Sequence, residues 1–506
     1  MAIKRYYLTK DNTLSNAFKA NLSTRATGSN MGAADILEAF VIHGQTSATI
    51  NATNAEQSRI LIEFDMDTVL TDITNGTVPS SSVDYVLKMF NAPHASTTPV
   101  SYSLDVAMVK TNAWQEGSGL DMDNYSDLGE SNWEYATPGT QWGLQGGDYY
   151  GVGATLSSSF FFDGGTEDLD LNINFAVDKW RTNDTLYPNY GLLIKNTDPV
   201  ISGSEGTYFT KMFFGRTSEY FLKRPYIEAR WDSSRKDNRG NFAVSSSRVP
   251  TEDNVNVLYM YNRARGQLVN IPGLDGNTLS VEVFSGTIGP DGDPLRLVDG
   301  INQGNGFFLT GGLLIENGVT QTGIYTCSLA TALTGASAAE ALTTGSYFDV
   351  WSTGSVQFFT GSFVPERLTP QELLYNDEHI TTITNLASSY TQGQKPVLRL
   401  FTRKKNWSPT IYTVATADIV PEIIENAYYR VYRTVDNMDV IPLGTGSVNK
   451  NYTRLSYDVS GNYFELDTSV LDTGYTYGIQ FSYYLDGVYE NQKEIFKFRV
   501  DEEDIP

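Results

Sequence analysis

Short segments in which every second side chain is apolar recur along this chain. Clear examples are residues 102–108, 169–177 and 477–485. Such alternation is typical of antiparallel strands with one face on a core and the other in water. Turn sequences separate the segments, for example Asp275–Gly276 and residues 460–462. The pattern therefore predicts an all-β chain of tandem antiparallel β-sandwiches.

The length of the chain and two polar connecting segments suggest three domains. A chain of 506 residues exceeds one ordinary core, and its 31 Tyr, 25 Phe and 44 Gly suit pleated sheets joined by turns. The polar run 232–240 and the stretch 390–396 are typical connections. We therefore predict a sandwich at 1–235, an Ig-like β-rich domain at 236–395, and an Ig-like or fibronectin-like sandwich with an acidic tail at 396–506.

One short helix is expected in the connection ahead of the last domain. Thr369 can cap it, Pro370 suits the first helical position, and Glu372 completes a capping box before two leucines. The Ala- and Thr-rich residues 330–344 favour a loop or another short helix. Neither would change the all-β class.

Charge, hydropathy and cysteine content limit the classes of partner and the compartments that are compatible with this sequence. The formal charge of −23 repels phosphate, which argues against nucleic acid as a partner. No apolar run approaches the ~20 residues that span a bilayer, so we expect no membrane insertion. The first residues lack the apolar region of a secretory signal, which predicts synthesis in a cytoplasm. Cys327 is the sole cysteine, and a buried small hydrophobe is its expected role.

Residues for catalysis are sparse. The three histidines, His43, His94 and His379, are scattered, and no nucleophile and base are paired in sequence. Glu63 and Asp65 are two apart on one expected strand, so they should share its solvated face. We predict that the chain is not an enzyme and needs no organic cofactor.

The loop of residues 114–150 concentrates the candidate site residues. It combines aromatic side chains, glycines and carboxylates over a length that is uncommon in compact domains and is often functional. Two interpretations stay open, a ligand-stacking surface and a plug packed onto the sandwich. The candidate ligand-binding residues are Trp114, Glu116, Trp133, Trp142 and Asp148.

An acidic segment inside this loop is a candidate calcium site. Asp121, Asp123 and Asp127, with the carbonyl of Tyr125, could supply several of the six to eight oxygens that Ca²⁺ takes. The alternative needs no metal, because Asp side chains in turns commonly accept hydrogen bonds from nearby backbone N–H groups.

The region from about residue 34 to residue 231 resembles the DNRLRE-type β-sandwich, a jelly-roll-type module of bacterial surface proteins related to a carbohydrate-binding family. The resemblance rests on order and pattern rather than on a continuous match. The matching pieces are residues 58–65, 114–117, 132–133, Trp142, 146–148 and 223–227.

Together with the two trailing Ig-like segments, the chain resembles virion structural proteins of tailed bacteriophages. That resemblance implies a component of the tail, neck or collar, or fibre-attachment region of the virion, with other virion proteins and copies of itself as partners. The competing class is a carbohydrate-binding or receptor-binding module of a surface adhesion assembly, with a host surface glycan as ligand. Exposure or burial of Trp114, Trp133 and Trp142 discriminates between the two classes.

Overall fold

The computed structural model describes residues 2–44, 55–95, 97–151, 155–197, 207–299, 305–332, 345–365, 378–405, 421–446, 448–485 and 487–502. The chain divides into two compact units. One spans Ile3–Trp231, and the other comprises Asp232–Pro506 with Met1–Ala2. Both consist mainly of antiparallel sheets, so the expectation of an all-β chain with tandem β-sandwiches is confirmed.

The first unit contains twelve of the strands and both α-helices of the described ranges. Ten strands join in one sheet with the order β8-β5-β10-β3-β1-β12-β4-β9, to which β2 is added through β3 and β11 through β2. The elements are β1 Ile3–Ser15, β2 Ile36–Ile42, β3 Glu56–Phe64, α1 Met66–Thr74, β4 Asp84–Met89, β5 Tyr102–Met108, β6 Tyr135–Thr137, β7 Thr140–Gln141, β8 Ser157–Phe162, β9 Leu169–Asn172, α2 Asn174–Arg181, β10 Leu192–Asn196, β11 Tyr208–Phe214, a 3₁₀ turn Phe221–Lys223 and β12 Tyr226–Arg230.

The alternating segment 169–177 is only half a strand, which corrects the prediction for it. Strand β9 ends at Asn172, and helix α2 begins at Asn174. The side chain of Asn172 accepts a hydrogen bond from the Asn174 N–H at 2.9 Å, which supports the turn between them. Ala176, Val177 and Trp180 are buried on one side of the helix. The buried positions 176, 177 and 180 therefore follow one face of a helix and not the alternation of a strand.

The second unit begins with an eight-stranded sheet in the order β18-β17-β20-β19-β16-β21-β22, with β13 paired to β20. Its core includes Trp351, Tyr325 and Tyr347, all fully buried. Cys327 lies in the same core, as expected for a small hydrophobe. The elements are 3₁₀ turns Asn238–Gly240, Thr251–Asn254 and Asp275–Asn277, and strands β13 Asn256–Tyr261, β14 Arg263–Ala264, β15 Gln267–Leu268, β16 Thr278–Gly286, β17 Leu297–Val298, β18 Asn305–Gly306, β19 Leu309–Glu316, β20 Val319–Thr331, β21 Ser346–Thr353 and β22 Val356–Phe363.

The rest of the second unit is a sandwich of a four-stranded sheet, β23-β25-β29-β28, and a six-stranded sheet, β24-β32-β30-β26-β27 with β31 on β30. Tyr429 stacks on Phe464 across the two sheets at 4.3 Å between ring centroids. The elements are β23 His379–Ile383, β24 Ser389–Thr391, β25 Val397–Lys404, β26 Ala427–Arg433, β27 Met438–Ile441, β28 Ser456–Asp458, β29 Gly461–Glu465, a 3₁₀ turn Thr468–Val470, β30 Thr476–Leu485, β31 Val488–Asn491 and β32 Phe496–Asp501.

The two segments that the sequence suggests as connections between domains take part in strand pairing, hydrogen bonds and an ion pair. Strand β23, which a boundary at residue 395 assigns to the middle domain, pairs with β25 of the last sandwich. In the polar run 232–240, Asp237 N–H donates to the Tyr457 carbonyl at 3.0 Å. Arg239 forms a buried ion pair with Asp349 of β21 at 2.6 Å. The run is therefore bound to both sheet systems of its unit.

Two remaining expectations concern helices. The helix expected at residues 369–374, and most of the stretch 330–344, lie outside the described residues. No helix within the described ranges is long and apolar enough to cross a membrane.

Candidate functional site

The three tryptophans of the 114–150 loop are buried against the first unit's sheet. Trp114, Trp133 and Trp142 are 2%, 4% and 5% exposed. They form one apolar cluster with strand residues that include Leu14 and Leu193. An aromatic face needs to be open to solvent to stack on a sugar ring, and none of these three is. The geometry therefore fits the plug and not the stacking surface.

Polar contacts fix the orientation of each ring. The indole N–H of Trp114 donates to the Tyr190 carbonyl at 3.0 Å, and that of Trp142 donates to the Asn132 carbonyl at 2.9 Å. The guanidinium of Arg59 lies 5.0 Å from the Trp133 ring centroid, a cation–π contact.

Gly146 permits the close approach of the loop to Trp133. Its φ of +83° is unfavourable for residues with a Cβ, and a Cβ there would lie 2.8 Å from Cη2 of Trp133. The Gly-rich end of the loop is therefore required by packing.

Glu116, a candidate ligand-binding residue, is engaged by the protein itself. Nη2 of Arg216 donates to both of its carboxylate oxygens at 2.8 Å. The Asp11 backbone N–H donates to Oε1 of Glu116 at 2.9 Å. Glu116 thus anchors the start of the loop to β1 and to the segment that follows β11.

Asp11 is an unusual carboxyl at this anchor. It is 1% exposed, its Oδ2 accepts a hydrogen bond from the Arg216 N–H at 2.6 Å, and its Oδ1 has no partner within the described chain. Burial raises the pKa of Asp11 to about 7, and the neighbouring Glu116 charge adds to the increase, while the Arg216 N–H opposes it. Asp11 therefore titrates near neutral pH.

Two buried asparagines hold the middle of the loop. Nδ2 of Asn30 donates to the Glu116 carbonyl at 2.6 Å and to the Ser131 carbonyl at 2.7 Å. Nδ2 of Asn12 donates to the same Ser131 carbonyl at 2.9 Å. Because these amides satisfy backbone carbonyls in a buried place, they stabilise one loop conformation.

Asp148, the last candidate ligand-binding residue, closes the loop on itself. It is 7% exposed and accepts hydrogen bonds from the N–H groups of Gly143 at 2.9 Å and Leu144 at 2.6 Å. Its carboxylate is a turn cap, with both oxygens directed at backbone.

The three candidate calcium ligands do not converge. Oδ1 of Asp121 accepts hydrogen bonds from the N–H groups of Asp123, Asn124 and Tyr125 at 2.7–3.0 Å, and these bonds lower the pKa of Asp121. Asp123 pairs with Lys19 at 3.3 Å, and Asp127 accepts from the Ser118 N–H at 3.0 Å.

Each carboxylate has a separate partner, which is the arrangement of the metal-free alternative. Within the described ranges, no group of three or more His, Cys, Asp or Glu could hold a metal ion.

The histidines and the cysteine lie in different places. Nδ1 of His43 is 2.6 Å from the Thr207 hydroxyl, and Nε2 of His379 is 3.5 Å from Glu422. His94 contacts the carbonyl of the adjacent Ala95 at 2.9 Å. Burial raises the pKa of the Cys327 thiol to about 12, so the reactive thiolate is disfavoured.

Sequence reasoning did not identify the residues that hold the loop, namely Asp11, Asn12, Asn30, Arg59 and Arg216. All five are far from the loop along the chain. Their only sequence signal is polarity at positions that fall on or beside strands, and this signal does not distinguish a buried anchor from a solvated side chain.

A different surface exposes aromatic residues, the strand β22. It ends the eight-stranded sheet and pairs on one side with β21, and no strand within the described residues pairs with its other side. Its sequence Val-Gln-Phe-Phe-Thr-Gly-Ser-Phe contains no charge. Val356, Phe358 and Phe359 are 52%, 38% and 37% exposed. We call this strand the aromatic edge.

No family model and no curated protein matches this chain. Among solved structures, fibronectin(III)-like modules of Clostridium thermocellum CbhA align at 9% identity over 54% of this chain and 94% of that one, with a TM-score of 0.15. A chimeric titin Z1Z2 tandem aligns at 12% identity over 44% and 85%, with a TM-score of 0.14. Salmonella alpha-2-macroglobulin reacted with methylamine aligns at 9% identity over 99% and 28%, with a TM-score of 0.15.

Proposed function

We propose that this chain is a non-enzymatic structural component of a tailed-phage virion, in the tail, neck or collar, or fibre-attachment region. In this proposal it acts through contacts of its sandwiches with copies of itself and with other virion proteins. The aromatic edge is the observation that carries the proposal.

Edge strands of soluble proteins normally avoid pairing with other molecules. They are short, or carry charges or proline, or are covered by another segment. The aromatic edge has eight residues, none of them charged or proline, and it exposes Phe358 and Phe359. Aromatic residues are also enriched in the centres of protein interfaces. These features favour a strand that pairs with a partner.

A second copy of this chain is the partner that we assign to the edge. An antiparallel strand can pair with itself across a two-fold axis, which gives a closed contact of the commonest symmetry. Two copies, each with a charge of −23, repel one another, and an uncharged strand is a place where they can approach with little local repulsion.

The tryptophan loop supports the structural part of the proposal. Its aromatic faces, its buried amides and Glu116 are all committed to internal contacts. The loop therefore rigidifies the sandwich, as a building block of an assembly requires. The choice of a phage virion is supported by the sequence resemblance described above.

The protein composition of purified virions tests the proposal. We expect mass spectrometry of virions, purified from cells that produce this chain, to find it in a fixed stoichiometric ratio to the major structural proteins. Its absence from intact particles would overturn the virion assignment. Turnover in a glycosidase and esterase screen that one Asp, Glu or Ser substitution abolishes would overturn the non-enzymatic part.

A carbohydrate-binding or receptor-binding module of a surface adhesion assembly is the second candidate. The buried tryptophans do not serve it, so such a role requires another site. One observation favours it, a cleft in the first unit that is lined by carboxylates and aromatic rings.

A further inference from the structure

Lys211 on strand β11 is a fully buried lysine in the first unit. It is 0% exposed, whereas lysine in folded proteins is almost never buried to that extent without a charged partner. Its Nζ lies 4.6 Å from the ring centroid of Phe162 and 5.2 Å from that of Phe213. Within the described residues, its hydrogen-bond partners are three carbonyl oxygens and no carboxylate. The amine is therefore enclosed by aromatic rings and amide groups.

One of these carbonyl groups belongs to the side-chain amide of Asn91. Nζ of Lys211 lies 2.7 Å from Oδ1 of Asn91. Because a C=O bond is about 1.23 Å long, the amide carbon Cγ lies within about 4 Å of the amine nitrogen. Reacting atoms in a near-attack geometry are about 3–3.5 Å apart. A nucleophilic nitrogen and an amide carbon are thus close to reacting distance.

Backbone pairing holds the two side chains in this arrangement. Asn91 is opposite Phe213 in an antiparallel bridge, so Lys211, two residues earlier, is its diagonal neighbour on the same face. Hydrogen bonds of 2.9 Å and 3.1 Å flank the bridge and join residues 90–92 to residues 212–214. Because both partners are fixed before any reaction, the effective concentration of the amine at the amide is high.

Burial also favours the neutral, nucleophilic form of the amine. It lowers the pKa of Lys211 to about 8, and the charges of Glu167 and Asp168 oppose the decrease. At pH 7 about one Lys211 side chain in ten is therefore neutral. Oδ1 of Asp168 accepts a hydrogen bond from the Asn91 N–H at 2.8 Å, whereas Oε2 of Glu167 has no partner among the described residues. Glu167 thus offers a carboxylate oxygen that can accept a proton.

We propose that Lys211 and Asn91 form an intramolecular isopeptide bond. The neutral Nζ attacks Cγ of Asn91, the new C–N bond forms, and the bond from Cγ to Nδ2 breaks. The proton that Nζ loses passes by way of the Glu167 carboxylate to Nδ2, which departs as ammonia. No oxidant, reductant or cofactor is consumed, and the reaction occurs once in each chain.

The bond would join β11 covalently to the segment that follows β4. A covalent link between segments 120 residues apart in sequence restricts the unfolded chain, as a disulfide does. The proposal depends neither on self-association at the aromatic edge nor on the virion assignment. It also involves none of the candidate residues of the tryptophan loop.

Intact-mass spectrometry of the purified full chain tests the bond. We expect a mass about 17 Da below that of the sequence, which corresponds to the loss of one ammonia. Trypsin does not cleave after an acylated lysine, so digestion should give residues 89–110 joined to residues 196–216. Incubation at pH 9, where most of the amine is neutral, should convert any chains that have not yet reacted.

Lys211→Arg and Asn91→Leu should each lack the mass deficit and the joined peptide, and circular dichroism should show them folded. Asn91→Asp should form the same bond by loss of water, with a mass about 18 Da below that of its own sequence. Lys195→Arg is the matched control, because Lys195 is another buried lysine of the first unit, 3.4 Å from Asp105. It should keep the deficit and the joined peptide.

Two results would overturn the proposal. The first is the full sequence mass after incubation at pH 9, with residues 89–110 and the peptides on either side of Lys211 recovered separately. The second is a deficit of about 17 Da that persists in Lys211→Arg. An Asn–Gly sequence such as Asn317–Gly318 can lose ammonia by forming a succinimide, and that reaction needs no lysine.

Discussion

The tryptophan loop and the aromatic edge use the same kind of side chain in opposite ways. In the loop, three large rings are at most 5% exposed, and the indole N–H groups of Trp114 and Trp142 donate to internal carbonyls. At the edge, Phe358 and Phe359 are each more than one-third exposed on a strand with one unpaired side among the described residues. The loop packs onto its own sandwich, and the edge is the surface that we propose for a second copy of the chain.

The two regions differ in how their polar groups are hydrogen-bonded. The buried polar groups of the loop form hydrogen bonds with residues distant in sequence, so its rings can be buried without leaving those groups unsatisfied. Among the described residues, no strand pairs with the outer side of the edge, beside its exposed rings, so both a partner's strand and its apolar side chains would be stabilised there.

The largest effect is expected from Trp133→Ala. Loss of a fully buried tryptophan leaves a cavity, which costs about 3–5 kcal/mol of unfolding free energy. Urea denaturation of the purified chain measures it. Tyr125→Ala, which removes an aromatic side chain that is 66% exposed in the same loop, should change stability by less than about 0.5 kcal/mol. Equal effects of the two substitutions would contradict the plug.

Glu116→Gln should lower the unfolding free energy by a smaller amount, about 1–2 kcal/mol. The effect is smaller because the Glu116 and Arg216 side chains are 20% and 35% exposed, so water partly screens their ion pair. The same denaturation experiment measures the loss. Glu130→Gln, a substitution of another carboxylate in the loop, is the control and should be silent. If the two variants unfold at the same urea concentration, the Glu116–Arg216 anchor contributes nothing.

Asp11 makes the first unit sensitive to pH. Its pKa is raised to about 7 in the folded chain by burial, so the folded state binds a proton that the unfolded state releases at lower pH. Its contribution to stability is therefore complete in acid and is lost as the pH rises from about 4 to about 7.

Between about pH 5 and pH 8 we expect this carboxyl alone to reduce the unfolding free energy by about 2–3 kcal/mol. Asp11→Asn should remove that slope while the other titrations remain. The comparison of wild type with Asp11→Asn across the pH range measures it, and parallel curves would show that Asp11 does not titrate there.

The smallest effect concerns the acidic segment of the loop. Because Asp121 caps three backbone N–H groups, Asp121→Ala should speed proteolytic cleavage near residues 121–127. A calcium chelator should leave the cleavage rate and the melting temperature of the wild type unchanged. A shift produced by the chelator would instead favour a bound cation held by Asp121, Asp123 and Asp127.

Local patterns predicted part of this molecule well. The alternation at residues 102–108 and 477–485 corresponds to β5 and β30, and the turn at 460–462 lies in the β28–β29 hairpin. The prediction of a strand over residues 169–177 was wrong because the alternation of apolar residues continues past Asn172 into helix α2. A short apolar pattern does not separate the two periods.

Burial and edge position were not predictable in the same way. The sequence concentrates tryptophans in one loop, but whether they are sealed depends on Asn12, Asn30 and Arg216, which only the folded sheet brings near. Likewise, the sequence of β22 suits an interior strand as well as an edge. Its position follows from the pairing order of the whole sheet, which no local window contains.

Sedimentation velocity across a concentration series measures whether the aromatic edge joins copies of this chain, as we propose. We expect the wild type to sediment as a concentration-dependent dimer or larger oligomer, and Phe358→Glu to sediment as a monomer with unchanged unfolding. Val488→Glu, at an exposed position on the charged short strand β31, should behave as wild type. Phe161→Glu tests another uncharged edge strand, β8, on which Phe161 is 61% exposed. A monomeric wild type, or an oligomer that Phe161→Glu and not Phe358→Glu dissociates, would contradict the claim.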